Sequence, residues 1–130
     1  MFDYQSPENL LRGKVILISG ASSGIGKAAA LAYAKNGATV ILLGRNVEKL
    51  ERVYDEIEQA NAPKAAITPF DLEGANEENY LELVNSIYTE FGHLDGLLNN
   101  ASILGTLTPI QSYTLTTWHQ VIQINLNAQF

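Results

Sequence analysis

The chain has 130 residues, a formal net charge of −6 and 46% hydrophobic residues, the profile of one globular domain with a real core rather than a disordered segment. No local cluster of Lys or Arg offsets that negative balance, so neither a nucleic acid nor an anionic membrane is expected as a partner. Cys is absent, which excludes disulfide scaffolds, thiolate catalysis and Cys-ligated metal sites, and no metal centre is expected.

The lead-in from Met1 to Asn9 is polar and acidic, without the basic and apolar regions of a signal peptide. No apolar run approaches membrane-spanning length, and a cytoplasmic location is expected. Val15-Ile16-Leu17-Ile18 then reads as a strand. It feeds the glycine-rich segment Ser19-Gly20-Ala21-Ser22-Ser23-Gly24-Ile25-Gly26 and an alanine-rich helix. Ile25, Ala28, Ala29, Ala32 and Tyr33 follow helical spacing and are expected to form its buried face. A glycine turn between strand and helix brings backbone N–H groups and a positive dipole end up to a phosphate, so a bound nucleotide is expected.

The spacing narrows the nucleotide. Gly20, Gly24 and Gly26 give G-x-x-x-G-x-G, not G-x-G-x-x-G. A phosphate-binding loop of the Walker type needs Gly at 21 and Ser or Thr at 28, where this chain has Ala21 and Ala28.

Asn36-Gly37 stops the first helix, and Thr39-Val40-Ile41-Leu42-Leu43 is the continuous apolar run of a strand covered on both faces. Gly44-Arg45-Asn46 turns into a helix with a stripe of Leu50, Val53, Tyr54 and Ile57. Pro63 interrupts, and Ala65 to Phe70 reads as a third strand ending at Asp71-Leu72. The acidic stretch from Glu73 to Glu78 opens a third helix, striped by Tyr80, Leu83, Val84, Ile87, Tyr88 and Phe91. Leu94 to Leu98 forms a fourth strand running into Asn99-Asn100-Ala101-Ser102. A last helix runs from about Thr116 to the end, with Trp118, Val121, Ile122 and Asn125 on one face. Alternation of strand and helix predicts an α/β fold with a parallel sheet and right-handed crossovers.

In these residues the chain resembles the short-chain dehydrogenase/reductase (SDR) family over essentially its whole length. The family's T-G-x-x-x-G-x-G motif is matched from Ser19 to Gly26, with Ser in place of Thr. Its N-N-A-G motif stands as Asn99-Asn100-Ala101-Ser102, its strand-end Asp as Asp71-Leu72, and its helical Asn as Asn125 with Phe130. The resemblance implies an NAD(P)-dependent oxidoreductase acting on a small carbonyl or alcohol, in a Rossmann-type doubly wound sheet. The expected strand order is 3-2-1-4, the first four strands of a longer sheet.

The resemblance also implies roles. Gly20, Ser22, Ser23, Gly24, Ile25 and Gly26 belong to the cofactor cradle, and the two serines either cap the helix or meet phosphate and ribose oxygens. Asp71 accepts from the adenine amino group while Leu72 packs near the ring. Asn100 and Ala101 line the nicotinamide ribose, and Asn99 ties neighbouring strands together. Gly44 stands where an NAD site carries an acid, and Arg45 follows with a guanidinium suited to a 2′-phosphate, which favours NADP(H) over NAD(H). Asn125 is either a satisfied core amide or the group that holds a water in the family's proton relay.

The family's catalytic Ser and Tyr-x-x-x-Lys have no counterpart in the chain. Tyr4, Tyr33, Tyr54, Tyr80, Tyr88 and Tyr113 are followed four residues on by Glu8, Gly37, Glu58, Val84, Gly92 and Thr117. The expectation is therefore residues 1–130 as the N-terminal cofactor-binding domain of a longer reductase, with an uncovered fourth strand and homo-oligomeric association near Thr116. The alternative is a non-catalytic dinucleotide sensor or partner module.

Overall fold

The computed structural model describes residues 7–130; Tyr4 and most of the acidic lead-in lie outside the described residues. Strands β1 (Val15–Ser19), β2 (Thr39–Gly44), β3 (Ala66–Pro69) and β4 (Gly96–Leu98) alternate with helices α1 (Gly24–Lys35), α2 (Val47–Gln59), α3 (Glu77–Phe91) and α4 (Leu115–Asn125). The sheet is parallel and ordered 3-2-1-4, with Ile18 beside Leu42 on one side and Leu98 on the other. All strands therefore end along the same edge, which is where a doubly wound sheet holds its ligands.

The pleat sends alternate side chains to opposite faces. Ile18, Val40 and Leu42 pack beneath α1 and α2 with Ala30, Ala34, Leu50, Val53 and Ile57. Val15, Leu17, Ile41 and Leu43 face the other way, against Ile87 of α3. The stripe expected on α2 matches this packing, with Tyr54 at its margin.

The stripe expected on α1 is wrong. Its buried residues are Gly26, Ala30 and Ala34, while Ile25 is 79% exposed. Nearly every position of α1 is small or apolar, so periodicity marks no face. Close approach to the sheet selects the smallest side chains instead. On α3 only Ile87 is fully buried, and Val84 and Tyr88 of the expected stripe are exposed. On α4 the buried residue is Ile124, not one of the expected stripe, and the helix stops at Asn125 instead of running to the end. A single 3-10 turn, Asn127–Gln129, follows.

β4 is the sheet edge, and its Leu97 is 55% exposed. Leu115 and Trp118 of α4 are exposed as well. No helix among the described residues is long and apolar enough to cross a membrane.

Candidate functional site

The glycine turn is held in place by its neighbours across the strand ends. Ser19 closes β1 and is the buried polar side chain among the described residues. Its hydroxyl accepts from the Asn100 and Ala101 N–H groups at 3.0 Å each and donates to the Leu98 carbonyl at 3.3 Å. One donor and two lone pairs are all engaged. The Asn100 side-chain amide donates to the Ser19 carbonyl at 3.0 Å and to the Gly20 carbonyl at 3.3 Å. So Asn100, not Asn99, ties the strands together; the Asn99 side chain is exposed.

At two of its glycines the turn leaves room for backbone alone. Gly20 has φ +66°, and a Cβ there would lie 2.9 Å from the Ala101 Cα. A Cβ on Gly26 would lie 2.3 Å from the Gly20 carbonyl oxygen and 2.6 Å from the Asn100 Nδ2. Ser23 is the N-cap of α1, yet its side chain makes no capping hydrogen bond. The Ser22 hydroxyl likewise makes no hydrogen bond among the described residues, so both hydroxyls are free to meet a ligand beside the positive end of the helix.

The β2 and β3 ends form the opposite wall. Arg45 follows β2, and its Nη1 lies 3.8 Å from Oε2 of Glu73, with both side chains substantially exposed. That oxygen also accepts from Gln120 Nε2 of α4 at 2.9 Å. Asp71 accepts from the Glu73 N–H at 3.2 Å, which shapes the turn after β3 and leaves its other carboxylate oxygen open. Leu72 is half-buried against the α3-side core.

Asn125 is the last residue of α4, and its amide forms a reciprocal pair with Ile103. Its Oδ1 accepts from the Ile103 N–H and its Nδ2 donates to the Ile103 carbonyl, both at 2.9 Å. The loop after β4 is thereby clamped to α4. One lone pair and one N–H of the amide remain.

These walls enclose a cleft of about 600 Å³. Gly20, Ser22, Ser23, Gly24 and Ile25 line it with Asn100 and Ala101 on the side of the turn, and Arg45, Asp71 and Leu72 line it on the opposite wall. Gly26 lies behind the turn and Asn125 one residue beyond the lining Ile124, so neither faces the space directly. Sequence reasoning missed Ser19, Lys49 and Glu73. A polar residue closing an apolar strand was the available signal for Ser19. For Glu73 there was none, since Gln120 is 47 positions away.

A family model described as short chain dehydrogenase matches residues 14–130. The oxidoreductase YciK of Escherichia coli K12, itself uncharacterized, is 42% identical over 127 residues, covering 98% of this chain and 50% of that protein. Among solved structures, one described as a short chain dehydrogenase from Pseudomonas syringae is 48% identical with a TM-score of 0.95, over 100% of this chain and 54% of that one. Another, from Shigella flexneri 2a and complexed with NADP, is 42% identical with a TM-score of 0.92, over 95% and 52% of the two chains. The chain spans about half the length of these relatives. With its glycine turn, its Asn100 tie and its Asn125 helix all inside the matched span, the chain belongs to the short-chain dehydrogenase family.

Proposed function

We propose that residues 1–130 form one dinucleotide-binding domain of a longer, cytoplasmic, NADP(H)-dependent oxidoreductase acting on a small carbonyl or alcohol. The observation that carries this reading is the convergence of four strand ends on one cleft whose glycine turn has no room for a side chain at Gly20 or Gly26. Such a cradle fits a pyrophosphate, which needs amides at close range. Arg45 beyond β2, with Gly44 where an acid would select NAD, fits a 2′-phosphate. The Shigella flexneri relative complexed with NADP supports the same preference.

When bound, the cofactor would give a hydride to a carbonyl or take one from an alcohol. Gly20, Gly24, Ile25 and Gly26 shape the pyrophosphate cradle, and Ser22 and Ser23 offer it hydroxyls. Asp71 accepts from the adenine amino group and Leu72 packs on the ring. Asn100 holds the turn while it and Ala101 border the nicotinamide ribose. Asn125 braces the Ile103 loop and keeps one donor and one acceptor for a water in the proton relay. Tyr33, Tyr54, Tyr80, Tyr88 and Tyr113 do not line the cleft, so none of them is assigned proton transfer to or from the substrate oxygen. Self-association through α4 would cover its exposed Leu115 and Trp118. Relatives named as oxidoreductases favour an enzyme over a sensor module.

Calorimetric titration of the complete protein with NADPH and NADH tests the reading. A dissociation constant for NADPH at least about tenfold below that for NADH, a 1.4 kcal/mol difference, is expected. Equal affinities would refute the NADP preference, and binding of neither would refute the cofactor site.

A further inference from the structure

The end of the cleft beyond β2 and β3 carries balanced charge. Arg45 and Lys49 come from the β2–α2 junction, Asp71 and Glu73 from the β3–α3 junction, and all line the same space. A phosphate monoester carries about −1.5 to −2 charges at neutral pH, so it gains most from a cation with no carboxylate partner. Arg45 is partly committed, since Glu73 lies 3.8 Å away and is itself steadied by Gln120 at 2.9 Å. Lys49 is in no ion pair among the described residues.

Helix capping singles out the same residue. Both α2 and α3 begin with an Asn whose side chain accepts from the third helical N–H, Lys49 at 2.9 Å and Asn79 at 3.1 Å. In α3 the Asn79 side chain answers by accepting from the Asn76 N–H at 3.0 Å, closing a capping box. At the matching position of α2 stands Lys49, which has no acceptor to offer. Its charge also lies in the first turn, where the helix dipole disfavours a cation. An anion between Lys49 and Arg45 would remove that cost and give the Asn46 N–H a partner.

We propose that Lys49 is a second specificity-determining residue of the cofactor site. Its ammonium and the Arg45 guanidinium close on the 2′-phosphate from two sides, and Lys49 provides the attraction that Glu73 draws away from Arg45. This rests on the NADP(H) reading above and adds to it a residue that the strand-end motif does not contain.

The test is the ratio of dissociation constants, NADH over NADPH, in the complete protein carrying Lys49→Gln, Lys49→Glu or Lys64→Gln. Lys64 is an exposed lysine ahead of β3 that does not line the cleft, so it controls for overall charge. Lys49→Gln lowers the ratio about five- to tenfold, as loss of one charge-assisted hydrogen bond does. Lys49→Glu lowers it further, Lys64→Gln leaves it within twofold, and adenosine 2′,5′-bisphosphate weakens in parallel with NADPH. A Lys49→Gln ratio within twofold of the wild type, or an equal drop in Lys64→Gln, overturns the role of Lys49 while the cofactor reading stands. A wild-type protein that binds neither dinucleotide overturns both.

Discussion

Gly26→Ala should dismantle the cradle although it adds only one methyl group. The new Cβ would sit 2.3 Å from the Gly20 carbonyl oxygen, 2.6 Å from the Asn100 Nδ2 and 2.9 Å from the Gly20 carbonyl carbon, all closer than real Cβ atoms come. Two of these contacts are backbone, so no flexible side chain can swing aside. The turn must shift away from α1, and with it go the Asn100 hydrogen bonds to the Ser19 and Gly20 carbonyls. Overpacking costs about 1–3 kcal/mol and each lost hydrogen bond about 1 kcal/mol, offset by the roughly 1 kcal/mol that Ala gains over Gly within a helix. The net is a loss of about 2–4 kcal/mol, or a melting temperature lowered by roughly 7–15 °C for a domain of this length. NADPH binding should fall at least about a hundredfold, because the amides no longer converge on one point. Gly24→Ala is the comparison. Gly24 has φ +55° but nothing within 4 Å of a new Cβ, so it carries only the left-handed backbone cost of about 1–2 kcal/mol. Thermal melts and NADPH titration of both variants decide the matter. If Gly26→Ala is no less stable than Gly24→Ala and still binds NADPH, the close-approach argument fails.

Ser19→Ala removes the acceptor of the Asn100 and Ala101 N–H groups. Two half-buried donors left unpaired predict a loss of about 2–4 kcal/mol by urea denaturation, and Ser19→Thr, which keeps the hydroxyl, should recover most of it. Tyr80 carries a buried hydroxyl with no partner, and burial pushes its pKa up. Tyr80→Phe should therefore leave stability unchanged or raise it by up to about 1 kcal/mol; a loss beyond that would reveal a partner for the hydroxyl. The Asp95 carboxylate accepts from the Val15 N–H and from Lys14, both at 2.9 Å, and these contacts hold its pKa below the usual aspartate value. A lowered folded pKa means the carboxylate stabilises above the unfolded value of about 3.9 and ceases to as pH falls through the folded one. Asp95→Asn should thus be less stable than wild type at pH 7, with the gap closing in melts taken down toward pH 3. A gap that does not depend on pH would refute the charge argument.

The sequence by itself determined the order of elements and the chemistry of the glycine turn, because both are local. The α2 stripe of Leu50, Val53 and Ile57 was legible because its other positions are mostly charged, leaving one way to face the core. The open β4 edge was expected as well, but only through the family resemblance, which supplied the order 3-2-1-4; right-handed crossovers alone leave the order open. What tertiary structure alone decided lies where local signals are degenerate or partners are distant. The α1 face was settled by how near the helix comes to β1, so the buried positions went to Gly26, Ala30 and Ala34 and the larger Ile25 turned outward. Of two adjacent asparagines, strand register chose Asn100 as the tie to Ser19 and Gly20, some 80 positions away. Asn125 meets Ile103 across 22 positions, and Glu73 meets Gln120 across 47. Such contacts leave no periodicity in a sequence, because they arise only after the strand ends and the loops beyond them have been brought to one edge of the sheet.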